Sequence, residues 1–212
     1  EIKMANTTFS GPVRSENGFE TVSKNTTTGA ITITSGNKMA SEAAGGAGIE
    51  GTAATYITQV ERLKSDTSTN VNIVKTTIMI DLTGLNSGGT AGDIIGKDGS
   101  GVAYIGQITT ANQGTVFGVT MECFETPTTG EDDIDLYVAT EATGVEDTAI
   151  GDLTENQLVN GGTQAVGGRA TNVTTLPTTA DQYLYLVGQG TTAGTYDAGK
   201  LLITIIGFDA AS

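Results

Sequence analysis

Acids crowd into one short run of the chain: Glu131, Asp132, Asp133 and Asp135. On an extended strand Asp133 and Asp135 project to the same side, because side chains alternate with a period of two. Two carboxylates helped by loop carbonyls make an oxygen site of the kind that holds Ca²⁺. Asp133 and Asp135 are therefore the candidate metal ligands, and calcium is the one cofactor these residues suggest. The run lacks the spacing of acids, a Gly and a distant Glu that marks a helix-flanked calcium loop. The competing reading is a solvated turn whose acids guard the start of a strand against edge pairing.

Other chemistry is sparse. The chain has no His and one Cys, Cys123. Nucleophile–histidine couples, imidazole metal sites, intrachain disulfides and thiolate zinc clusters are all excluded. Cys123 alternates with Phe117, Val119 and Met121 and reads as a small buried thiol on a strand. Residues 96–101 (GKDGSG) suggest a phosphate loop, but the Lys follows the first Gly and a strand follows the last. A turn centred on Asp98 and Gly99 is the better reading. Carboxylate pairs for glycoside hydrolysis are plentiful. Yet with no Trp and 5% aromatic residues, sugar subsites have few platforms. The residues point away from an enzyme.

The elements that would position these groups are strands. The chain carries 38 Thr and 30 Gly, the first suited to pleated surfaces and the second to tight turns. Residues 5–34 hold short β-like pieces near Phe19–Ser23 and Ala30–Thr34. Residues 36–51 (GNKMASEAAGGAGIEG) read as a linker. Beyond it Ala53–Val60 is a candidate strand. Val74, Thr76, Ile78, Ile80 and Leu82 share one face of a half-buried strand. Val102–Thr110 and Thr115–Phe124 read as a hairpin around residues 111–114. Ile134–Thr140, Gln182–Val187 and Lys200–Phe208 complete the set. Residues 152–161 (DLTENQLVNG) read as a short helix, with Thr154 and Gln157 at capping-box spacing. The expected fold is all-β: an antiparallel, jelly-roll-like β-sandwich of about eight strands with one short helix. It is preceded by an extended N-terminal arm. The expected division is 1–50 for the arm and 51–212 for the sandwich.

Charge is unevenly placed. The chain holds 24 acidic and 10 basic residues, for a net −14. That balance argues against nucleic acid as a direct partner. No apolar run approaches the ~20 residues of a membrane-spanning helix. Residues 1–75 hold seven residues of each sign; residues 76–212 hold 17 acids and 3 bases. The pattern suggests a near-neutral part that docks and an acidic part that faces solvent. In the neutral part Phe9, Pro12, Val13, Arg14 and Phe19 are the candidate partner contacts, since an extended arm orders on binding.

Two sets of segments carry a resemblance. The first is 9–19 (FSGPVRSENGF) with 24–29 (KNTTTG). The second is 133–144 (DIDLYVATEATG) with 152–158 (DLTENQL) and 196–207 (YDAGKLLITIIG). Together they resemble virion proteins of tailed phages that infect marine bacteria, in particular capsid decoration (cement) proteins. The resemblance implies a non-enzymatic protein on the outer surface of an icosahedral virion. It implies contacts to the major capsid protein and self-association as a homo-oligomer, often a trimer. It carries no catalytic residues. A tail or fibre protein would share this composition. Residues 130–137 (GEDDIDLY) are also similar to a stretch of small β-sandwich domains appended to secreted bacterial proteases. That likeness implies a secreted accessory or carbohydrate-binding module.

Overall fold

A computed structural model describes residues 21–24, 31–35, 45–49, 61–64, 71–171, 176 and 181–210. The chain divides into two compact units, 1–39 and 40–212. In the first, β1 (Thr21–Lys24) pairs antiparallel with β2 (Ile31–Ser35). Both fall within a residue or two of the strands expected from the sequence.

The second unit is built on two five-stranded antiparallel sheets. Its strands begin with β3 (Glu61–Lys64), β4 (Val71–Asp81), β5 (Asn86–Ser87), β6 (Asp93–Ile94) and β7 (Gly106–Ile108). A single helical turn, α1 (Thr110–Gln113), follows. The chain continues through β8 (Thr115–Thr128), β9 (Ile134–Ala139), β10 (Glu155–Val159) and β11 (Arg169–Thr171). It ends with β12 (Gln182–Gly188), β13 (Gly194–Thr195) and β14 (Ala198–Ala210). The first sheet runs β11-β8-β14-β4-β3. The second runs β10-β9-β12-β6, with β7 sharing the β6 edge of β12. The short β5 and β13 pair separately. The all-β expectation holds.

Alternation explains the core. On β14, Leu201, Ile203 and Ile205 point inward and pair across the sheet in three rows. The rows are Ile80–Leu201–Cys123, Ile78–Ile203–Met121 and Thr76–Ile205–Val119. All nine side chains are buried. The second sheet supplies Leu184 opposite Val138 and Leu186 opposite Leu136, and both sheets feed one hydrophobic cluster. Each fully buried Leu or Ile contributes roughly 1.5–3 kcal/mol. β4 matches its expected inward set: Val74, Thr76, Ile78, Ile80 and Leu82 are all buried.

Four local expectations are corrected. First, residues 152–161 are not a helix. A 3₁₀ turn at Ile150–Asp152 leads into β10, which pairs with β9. A helix of this length is marginal in water, whereas edge pairing satisfies the backbone. A register shift between Gln157 and Val159 lets the adjacent Leu158 and Val159 both be buried. Second, residues 102–124 are not a hairpin, since β7 belongs to one sheet and β8 to the other. α1 carries the chain between them: the Thr109 hydroxyl accepts the Asn112 N–H at 3.1 Å, and Gly114 ends the turn at φ 64°.

Third, the linker reading of 36–51 fails at residues 45–49. The Gly46 N–H donates to the Tyr104 carbonyl and the Gly48 N–H to the Val102 carbonyl, each at 2.8 Å. Ile49 is 1% exposed and belongs to the core. A Cβ on Gly46 would lie 2.1 Å from the Val102 carbonyl oxygen, so glycine here permits close approach. An arm ending at residue 50 would therefore include part of the second unit. Fourth, Phe117 does not share the inward phase of Cys123. A register shift between Ile206 and Gly207 of β14 puts Val116 inside and turns Phe117 outward. The candidate strand 53–60 lies outside the described residues.

Candidate docking surface and the acidic turn

The acidic run is a structural knot more than an open cluster. Glu131 is 5% exposed. Its carboxylate accepts the Asp133 N–H at 3.0 Å and the Thr192 N–H at 2.9 Å. Its own N–H donates to the Ser87 hydroxyl at 3.0 Å, and its carbonyl accepts the Tyr196 hydroxyl at 2.7 Å. One residue thus ties together four segments: the end of β5, the turn before β9, the loop between β12 and β13, and the residues between β13 and β14. Burial pushes the Glu131 carboxyl up, but the backbone donors of Asp133 and Thr192 outweigh it and hold it below its ordinary value.

The candidate calcium ligands have different fates. Asp135, on β9, is buried, and both its oxygens are engaged. Oδ2 accepts from Gln157 Nε2 at 2.6 Å, and Oδ1 accepts the Gly161 N–H at 2.8 Å. Asp135 therefore fastens the middle of β10 and the chain just beyond it to β9. Asp133 is half-buried just before β9, and its carboxyl is pushed up by burial and by the neighbouring Asp135, Glu131 and Asp132. The two are close enough to repel. Among the described residues no group of three or more His, Cys, Asp or Glu is arranged to hold a metal ion.

Cys123 is buried on β8, and its thiol donates to the Glu125 carbonyl at 3.2 Å. Burial pushes its pKa up, away from a reactive thiolate. In residues 96–101 the Ser100 N–H donates to the Lys97 carbonyl at 3.2 Å with Gly99 at φ 66°, which is the expected turn. Phe9, Pro12, Val13, Arg14 and Phe19 lie outside the described residues.

The outer face of the first sheet is a surface the sequence did not flag. Phe117 and Phe124 on β8 are each 49% exposed and Phe208 on β14 is 38% exposed. The rings of Phe117 and Phe208 approach to 6.4 Å between centroids. Between them and around them lie the half-buried Ile73, Met79, Leu202 and Ile206. Two bases on this face are paired within it. Arg169 Nε lies 3.0 Å from Glu122 Oε1, and Lys200 bonds Glu125 with Asp81 at 3.7 Å. A shallow cleft of about 260 Å³ borders Phe124 and the Arg169–Glu122 pair.

Charge separates between this sheet and the rest of the unit, mostly its loops, rather than by stretch of chain. The five strands of this sheet contain five acids and five bases, no net charge. The other described residues of the second unit contain 13 acids and Lys97 alone, a net −12. The neutral part of the molecule therefore extends beyond residues 1–75. The available signal was the clustering of Arg169 and Lys200 opposite Glu122, Glu125 and Asp81, which shows only once the register is known. No protein-family model, curated protein or solved structure matches the chain.

Proposed function

We propose that this chain is a non-enzymatic structural subunit that decorates the outside of an icosahedral phage capsid by protein–protein contacts. In this reading the two sheets form a β-sandwich of jelly-roll type, and the major capsid protein is the partner. The supporting observation is the charge asymmetry of the second unit: one neutral sheet with paired ions and exposed Phe, against a net −12 elsewhere. A one-sided negative field suits a subunit that presents acids to solvent and repels non-specific association. The N-terminal unit, with Phe9, Pro12, Val13, Arg14 and Phe19 ahead of β1, is the proposed capsid-binding element. Deleting residues 1–39 and measuring co-sedimentation with capsids tests this: binding should be lost, and binding at full strength refutes the assignment.

One observation favours a second reading, a carbohydrate-binding module. Tyr104 and Tyr183 are half-exposed and pack edge to face at 5.0 Å between ring centroids. Titration with soluble glycans while following tyrosine fluorescence would reveal such a site.

A further inference from the structure

We propose that the outer face of the first sheet binds the same face of a second copy, giving a two-fold dimer. Three observations converge on that occupant.

The first is the placement of Phe. All three Phe of the described residues are exposed, and all three lie on this face. Aromatic side chains were available to the core, where Tyr185 and Tyr196 are fully buried instead. Phenylalanine has no polar handle to justify exposure, and three on one face mark an interaction surface.

The second is charge. A chain of net −14 repels its own copy unless the contact is neutral. This sheet is the neutral part of the unit. Five of its ions are already paired within the face, Arg169 with Glu122 and Lys200 with Glu125 and Asp81. These five groups need no complementary charge from the partner, so a self-complementary contact leaves them paired. A partner with a strongly basic surface would fit the acidic loops outside this sheet better.

The third is size. The long strands β4, β8 and β14 have 11, 14 and 13 residues. At ~3.3 Å per residue and ~4.8 Å between five strands, the face covers roughly 700 Å². A standard interface takes about 800 Å² from each partner. A sheet face set on its own copy is isologous, hence two-fold. That differs from the trimer implied by the resemblance to decoration proteins.

β14 is the central strand, and Thr204 is its midpoint, outward and half-buried. In a centred two-fold dimer Thr204 faces its own copy. The test is sedimentation velocity on the full chain, together with oxidative cross-linking of Thr204→Cys. Cys123 is buried, so background cross-linking is low. The expected result is a particle of twice the chain mass and a covalent dimer from Thr204→Cys. The double variant Phe117→Ser with Phe208→Ser should weaken association about a hundredfold or more while keeping the wild-type circular dichroism spectrum. If that variant does not fold, Leu202→Lys on the same face serves in its place. A monomer at high concentration, a trimer, or a dimer indifferent to these changes would each overturn the proposal. The inference rests on the sheet alone, so its failure would leave the capsid assignment standing, and loss of capsid binding on deleting 1–39 would not touch it.

Discussion

Replacing Glu131 by Gln should cost the fold more than any other single change to a titratable group described above. The carboxylate accepts two backbone amides, from Asp133 and Thr192, in a buried setting. Hydrogen bonds to a charged acceptor contribute about 1.5–3 kcal/mol each. The substituted carboxamide keeps one acceptor oxygen and turns an NH₂ toward the second amide, so one bond is lost and a buried N–H is left unpaired. The expected loss is about 2–4 kcal/mol at neutral pH. The pH dependence has a definite sign. The folded-state pKa of Glu131 is held below the ordinary glutamate value of about 4.3. Its contribution is whole above that value and fades as pH falls through the lower, folded value. Urea unfolding of wild type and Glu131→Gln at neutral pH and in acid measures both effects: the gap should be widest at neutral pH and narrow in acid. Gly190→Ala gives an internal check. Its Cβ would lie 2.2 Å from a Glu131 carboxylate oxygen, so it perturbs the same group. The double variant should then lose less than the sum of the singles. Equal urea midpoints for wild type and Glu131→Gln at neutral pH, or strict additivity with Gly190→Ala, would refute the assignment of Glu131 as the tie between these loops.

Three further outcomes are expected. Asp135→Asn should lower stability by about 1–3 kcal/mol through the loss of one bond to Gln157 or Gly161; because both oxygens of Asp135 are occupied internally, chelator should leave the melting temperature of the wild type unchanged, and a drop would restore the calcium reading. Gly46→Ala should destabilise by about 1–3 kcal/mol, because its Cβ meets the Val102 backbone; a neutral effect on thermal unfolding would mean that residues 45–49 act as a linker after all. Burial pushes Tyr185 up to about 12, and its hydroxyl donates to the Glu141 carbonyl. Stability from Tyr185 is whole below its ordinary value of about 10 and is lost as pH rises toward the folded value. Alkaline unfolding should shift accordingly in Tyr185→Phe, and an unchanged alkaline transition would contradict this.

Period-two patterning made much of the architecture legible. β4 could be read with its inward face residue by residue, and β9, β12 and β14 were located to within a few residues. Each consists of alternating or continuous β-branched and apolar residues bounded by turns. What escaped reading was non-local. Residues 155–159 have no strand signature of their own; pairing with β9 and the Asp135 contacts make them one. Gly46 and Gly48 look like linker glycines, and only the approach of Val102 shows why a side chain is not tolerated. Phe117 changed sides because of a shift at Ile206 and Gly207, which alternation along β8 alone cannot foresee. The candidate site followed the same division. Acids at 131–135 were visible as a cluster, but their use in tying loops depends on Ser87, Thr192 and Tyr196, 44 to 65 residues away. The neutral sheet could not be seen at all, because its ion pairs join strands far apart in sequence.

The capsid assignment is tested most directly by imaging particles that carry this protein by cryo-electron microscopy and locating its density. The expected result is ordered copies of the two-sheet unit on the outer surface of the head, in contact with the major capsid protein. Density confined to the tail, or none on the particle, would contradict it.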